Sequence, residues 1–185
     1  MPSLTDISKT QDNAARDIAS YLGSYPVYAD AVSIDPRLKG TPVKGVTEID
    51  GKDFARIYYN PEILESDYMK ECVVYHEVAH LFQKEHGVMK ELYPLMLEIG
   101  GNHYYLGLDL LEGTAEFLAE KATGKKLAGV YPAEYMLAER IDKVYPTIKQ
   151  LYKDVEEYGW TVLDRPEIRK ILAEVYSTPS YRVLQ

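Results

Sequence analysis

Apolar residues recur at helical spacing from the start of the chain. Ile7, Ala14, Ile18 and Leu22 fall on one stripe, Thr5 or Asp6 can cap it and Gly23 stops it, which predicts a helix over 5–22. Residues 24–42 hold Pro26, Pro36, Gly40 and Pro42 and read as loop, with a short strand at Val27–Ala31. Val43–Ile49 and Phe54–Tyr59 flank Asp50-Gly51, a pair suited to the positive φ of a tight turn, so 43–60 reads as a β-hairpin. Residues 67–86, DYMKECVVYHEVAHLFQKEH, form a long predicted helix stopped by Gly87. A shorter apolar segment over 88–99 is broken by Pro94 and closed by Gly100-Gly101. A helix over 103–122 ends before Gly124, and an amphipathic helix over 133–158 is expected to kink at Tyr145-Pro146. Pro166 opens a last helix through Tyr176. The pattern is α+β: mostly helical with a small N-terminal β-sheet. No repeat, linker or low-complexity tract interrupts it.

Composition narrows the classes. A chain of 185 residues reads as a single domain and can bury a sizeable core without a disulfide or metal. No apolar run is long enough to span a bilayer, and MPSLTDISKT has neither the basic nor the apolar region of a secretory signal. The net charge of −8, with no Lys/Arg cluster, argues against nucleic acid and against an anionic membrane as partner. Cys72 is the single cysteine, which excludes an internal disulfide and fits a cytoplasmic location. Tyrosine occurs 17 times. Asn and Gln are confined to Asn13, Asn60, Asn102, Gln11, Gln83, Gln150 and Gln185, a scarcity in keeping with a thermophile.

The chemistry concentrates in Val73-Val74-Tyr75-His76-Glu77-Val78-Ala79-His80-Leu81-Phe82. On a helix, residues four apart lie about 40° apart and about 6 Å along the axis. His76 and His80 therefore share a face and can reach one metal ion. Glu77 follows the first histidine and can lean toward a water at the open coordination position, where it would act as general base. Two histidines and a charged glutamate on a largely apolar helix otherwise need other partners, because burying them alone costs several kcal/mol.

This stretch resembles the extended signature of the zincin metallopeptidases, with uncharged residues wherever that signature asks for them. The resemblance implies that His76 and His80 bind Zn2+, one ion per chain, and that Glu77 is the base. A second stretch, Leu111-Glu112-Gly113-Thr114-Ala115-Glu116-Phe117, resembles the Glu-Gly-x-Ala pattern on the second helix of the gluzincins. There the glutamate before the glycine is the third zinc ligand, which maps to Glu112. A carboxylate one turn later orients a histidine ligand, which maps to Glu116. Gly113 and Ala115 are small and would let this helix approach the HExxH helix. The likeness covers 73–120 and has the character of a small gluzincin.

A competing third ligand is His86, since HEVAHLFQKEH has the spacing of the metzincins. That family places glycine where this chain has Gln83. If the helix continues through Gln83, His86 points about 80° away from His76 and lies about 15 Å along the axis. No convincing methionine turn follows; Met136 is a poor match.

Other parts of a peptidase site are less determined. Phe54–Tyr59 is placed to serve as an edge strand for extended substrate. Tyr131 and Tyr135 are candidate donors to an oxyanion, with His103 or Tyr104 as outside choices. Cys72, one turn before His76, reads as a small buried hydrophobe. The expected activity is zinc-dependent hydrolysis of peptide or protein substrates. The alternative is a zinc-binding structural or regulatory module without turnover.

Overall fold

The computed structural model describes residues 3–50, 54–92, 95–99, 101–125, 131–145 and 147–177. It is mostly helical with two small sheets, an α+β arrangement. Two compact units make it up: Met1–Phe82 with Leu118–Ala128, and Gln83–Phe117 with Gly129–Gln185.

The first unit opens with α1 (Leu4–Leu22). Its cap is Ser3, whose backbone N–H donates to Asp6 Oδ2 at 2.6 Å, so the helix begins slightly earlier than the Thr5 or Asp6 cap predicts. Gly23, at φ +67°, ends it. The predicted strand at Val27–Ala31 is displaced: β1 is Ala31–Ile34. β2 (Gly45–Asp50) and β3 (Phe54–Tyr59) pair antiparallel, Gly45 opposite Tyr59 and Asp50 opposite Phe54. The turn residue Gly51 lies outside the described residues. β1 pairs with β3 in parallel, Ala31 opposite Arg56, giving the order β1-β3-β2. Along β3, Ala55, Ile57 and Tyr59 are buried while Arg56 is exposed, the period of two expected of a half-buried strand. Ile7, Ala14, Ile18 and Leu22 of α1 are buried, as are Val74, Val78 and Phe82 of α2 (Asp67–Glu85). Polar ties set their mutual placement. Gln11 donates to Tyr59 Oη at 3.0 Å, and Tyr75 Oη donates to Asp17 at 2.6 Å.

The second unit contains α3 (Val88–Leu92), the hairpin of β4 (Leu97–Ile99) and β5 (Asn102–Tyr104), α4 (Leu106–Thr123) through Phe117, α5 (Pro132–Val144), α6 (Ile148–Tyr158) and α7 (Pro166–Tyr176). The β4–β5 pair replaces the apolar segment predicted up to 99 and takes the first residues of the helix predicted over 103–122. Gly101 turns it at φ +79°, while Pro94 and Gly100 lie outside the described residues. The helix predicted over 133–158 is two helices rather than one kinked helix. Tyr145 precedes a proline, which disfavours the α conformation, and its backbone is extended. Thr147 then caps α6 by accepting the Gln150 N–H at 3.1 Å. Pro146 itself lies outside the described residues.

Tyrosines tie the helices of this unit together. Tyr176 Oη donates to Asp109 at 2.6 Å, and Tyr152 Oη donates to Thr114 at 3.0 Å. Asp154 accepts from Tyr145, from Gln150 at 2.7 Å and from Arg165 at 3.2 Å. Gly113 faces α5: a Cβ there would lie 2.0 Å from the Glu134 carbonyl oxygen. Within the second unit, the backbone for which Gly113 leaves room is that of α5. Among the described residues, no helix is long and apolar enough to cross a membrane.

Gly113→Ala must push α5 away from α4. Overpacking of this kind destabilises by about 1–3 kcal/mol. Urea unfolding should show that loss; an unchanged midpoint would mean that the two backbones are not in contact.

Candidate metal centre

Helix α2 presents His76 and His80 on one face and turns Glu77 away from them. His76 is half-buried, and Glu77 and His80 are buried. The two histidine Nε2 atoms lie 3.2 Å apart, with ring planes at 84°. Two nitrogens bound to one tetrahedral zinc at about 2.05 Å would be separated by about 3.3 Å, so the pair already has the required bite. Glu77 turns toward β2, where the Thr47 hydroxyl donates to its Oε2 at 2.7 Å. Beside it, a Cβ on Gly45 would come within 2.4 Å of Glu77 Oε1. The buried Tyr59 phenol has its pKa raised, first by burial and then by the charge of Glu77.

One ligand atom each from His76, His80 and Glu112 lies within 4.8 Å of the others. They are the one such group of three His, Cys, Asp or Glu residues among the described residues. Two imidazoles and a carboxylate are a donor set that zinc accepts, and three protein ligands leave the fourth position open to water. On donor type and nitrogen spacing, the residues fit the ion that the motif implies.

In the second unit, Gln83 does more than let α2 continue, which is all that the sequence predicts for it. It is fully buried, and its amide donates to the Leu111 carbonyl at 2.6 Å and to Thr114 Oγ1 at 3.0 Å. It thereby grips α4 at the residue before Glu112. The signal was in the spacing: Gln83 follows His76 by seven residues, two turns later and about 20° from the same direction.

Glu116 is buried, and its Oε2 accepts the backbone N–H of Tyr131 at 3.1 Å. This bond seats the start of α5 one turn from Glu112. Tyr131 is half-buried, as is Tyr135, whose ring lies 6.0 Å from that of Phe117. Glu134 joins the acidic residues of α4. Its pKa is raised by burial above all, and further by Asp109, Glu112 and Glu116. Nothing in the sequence marked Glu134 as part of this group.

The other candidates stand elsewhere. His86 follows the end of α2, with its Nδ1 3.3 Å from Glu156 Oε2 and its ring 6.1 Å from that of Tyr152. It does not belong to the His76, His80, Glu112 group, and neither does the half-buried Cys72. Tyr104 is buried with its ring 4.5 Å from that of Tyr176, and His103 is exposed on β5 opposite Glu98. β3 is not an edge strand. It lies between β1 and β2, so both of its sides are already paired. Among the described residues, the strand beside Glu77 that has a partner on one side only is β2. Sequence periodicity identifies a strand but not its place in the sheet, and a parallel partner arriving from before the hairpin leaves no local mark.

Comparison with protein-family models, with curated proteins and with solved structures gives no match.

The raised pKa of Glu134 has a thermodynamic sign. A carboxyl whose pKa rises on folding destabilises the fold once it is ionised, and that penalty disappears as pH falls below its unfolded value. Glu134→Gln should therefore raise the melting temperature of the metal-free protein at about pH 7 and leave it unchanged at about pH 4. An equal shift at both pH values would show that charge is not the cause.

Proposed function

We propose that the chain is a zinc-dependent metallopeptidase of gluzincin type, acting on peptide or protein substrates in the cytoplasm. The observation that carries this reading is the convergence of His76, His80 and Glu112 next to a buried glutamate, Glu77. The sequence likeness over 73–120 supports the same assignment. The single cysteine supports the location.

His76, His80 and Glu112 would hold the ion. When bound, zinc supplies a Lewis acid that acidifies water and polarises a carbonyl. Glu77 takes the proton of the attacking water and delivers it to the leaving amine nitrogen, so that the C–N bond breaks with a neutral leaving group. A neutral Gln at this position has no basic site for that proton. Tyr131 and Tyr135 are the candidate donors to the oxyanion; Glu116, which would orient a histidine ligand, also seats Tyr131 through its backbone. β2, the edge strand beside Glu77 among the described residues, is the strand that would pair with extended substrate.

Elemental mass spectrometry on protein purified without an affinity metal and then dialysed should find about one zinc per chain. Glu112→Ala should lose the zinc and His86→Ala should keep it; the reverse pair of results would move the site to the metzincin arrangement. Glu77→Gln should keep both metal and melting temperature while turnover falls by at least about 10²-fold. A chain that binds zinc and hydrolyses nothing in a broad peptide screen would be a non-catalytic zinc module instead.

A further inference from the structure

The carboxylate of Glu77 rests on β2. Gly45 and Thr47 are two residues apart on that strand, so they share one face of the sheet. Thr47 Oγ1 lies 2.7 Å from Glu77 Oε2 and 3.2 Å from the Glu77 carbonyl oxygen. The hydroxyl has one proton, and the shorter bond, to the ionised oxygen, is the stronger. At Gly45, an added Cβ would lie 2.4 Å from Oε1 and 2.7 Å from both Cδ and Cγ of Glu77. One residue of β2 therefore holds one carboxylate oxygen, and another leaves the space that the other oxygen occupies.

A glutamate carboxylate turns easily about its last bond, whose rotamer wells are broad. Burial raises the stakes, because an ionised oxygen without a donor is costly in an apolar surrounding. The Thr47 bond satisfies Oε2 and fixes the plane of the carboxylate. Oε1, which fills the gap beside Gly45, is the oxygen not engaged by Thr47 and the one assigned to take a proton. The backbone on which this depends is well anchored: Gly45 pairs with Tyr59 and Thr47 with Ile57, both fully buried on the central strand.

We propose that β2 is the seat of the general base, with Thr47 a positioning residue that aims Glu77 and Gly45 the gap that admits it. This rests on the peptidase reading above. It goes beyond that reading by making proton transfer depend on a strand hydroxyl outside the His76, His80, Glu112 group.

The test compares zinc-loaded parent chain with Thr47→Val, Thr47→Ser and Gly45→Ala on a mixture of fluorogenic decapeptides. Thr47→Val keeps the shape and removes the hydroxyl. It should lower kcat by about 10- to 100-fold with KM within about twofold, because a misaimed base slows chemistry without altering substrate binding. Thr47→Ser restores the hydroxyl and should recover most of kcat. Gly45→Ala should lower kcat as Thr47→Val does. Zinc content should stay the same in all of them. A crystal structure of Thr47→Val, or of Gly45→Ala should the valine variant not fold, gives a readout independent of activity: the Glu77 carboxylate should have turned from its place on β2. Undiminished kcat in Thr47→Val, failure of Thr47→Ser to recover, or an unmoved carboxylate would overturn the positioning role while leaving the peptidase reading intact. A parent chain that binds zinc but cleaves no peptide would overturn both.

Discussion

Everything at the candidate centre depends on α2 remaining one unbroken helix. At about 100° per residue, Tyr75, His76 and Glu77 point in three successive directions. Tyr75 reaches Asp17 on α1, and Glu77 reaches Thr47 on β2. Between them runs a stripe of His76, His80 and Gln83, within about 60° of one another. A break between His76 and Glu77 or between Glu77 and His80 would rotate these directions independently, and the 3.2 Å separation of the two Nε2 atoms would then be lost. The residue that the metzincin pattern would replace by glycine is the one that here extends the helix and makes two buried hydrogen bonds. His86 consequently lies beyond the helix end and meets Glu156.

Electrostatics in the second unit follows from a surplus of carboxylates. Asp109 is satisfied by the Tyr176 hydroxyl and Glu116 by the Tyr131 N–H. Each of these donors comes from another helix, so neutralising the charge also positions α7 or the start of α5. Glu134 carries the remaining strain, its proton held more tightly by burial and by its acidic neighbours. A cation beside Glu112 would relieve that field, since an added positive charge favours the ionised form of every nearby carboxylate.

Much of this was legible in the sequence because it is local. Helical stripes, stop glycines and the HExxH spacing are determined within a few residues of one another, and α2, α4 and α7 lie close to where the pattern predicts them. The split of the helix over 133–158 was legible too, through Pro146 and the Thr147 cap, but a kink and a break leave the same mark when only the proline is weighed. The β4–β5 hairpin was not legible: the pattern predicts only the close of an apolar segment before 100 and a helix from 103, and the short Asn102–Tyr104 strand has no apolar alternation to announce it. What the chain could not announce was pairing at a distance. The parallel addition of β1 to β3 made β3 central and β2 the edge. Thr47 and Glu134 carry no motif; their significance exists only once β2 lies against α2 and α5 against α4.

The two glycines at the candidate site make the same point in steric terms. Gly113 and Gly45 do not serve here as turn formers; neither is among the residues with positive φ. Gly113 admits the backbone of Glu134, and Gly45 admits the side chain of Glu77. Any Cβ at Gly113 meets a carbonyl fixed in a helix, which can yield only by moving α5. A Cβ at Gly45 meets the end of a side chain, which can swing aside more readily. The first contact therefore governs stability, whereas the second governs where a carboxylate points. The sequence shows both as a bare glycine, and only the atom on the far side of the gap separates a packing requirement from a functional one.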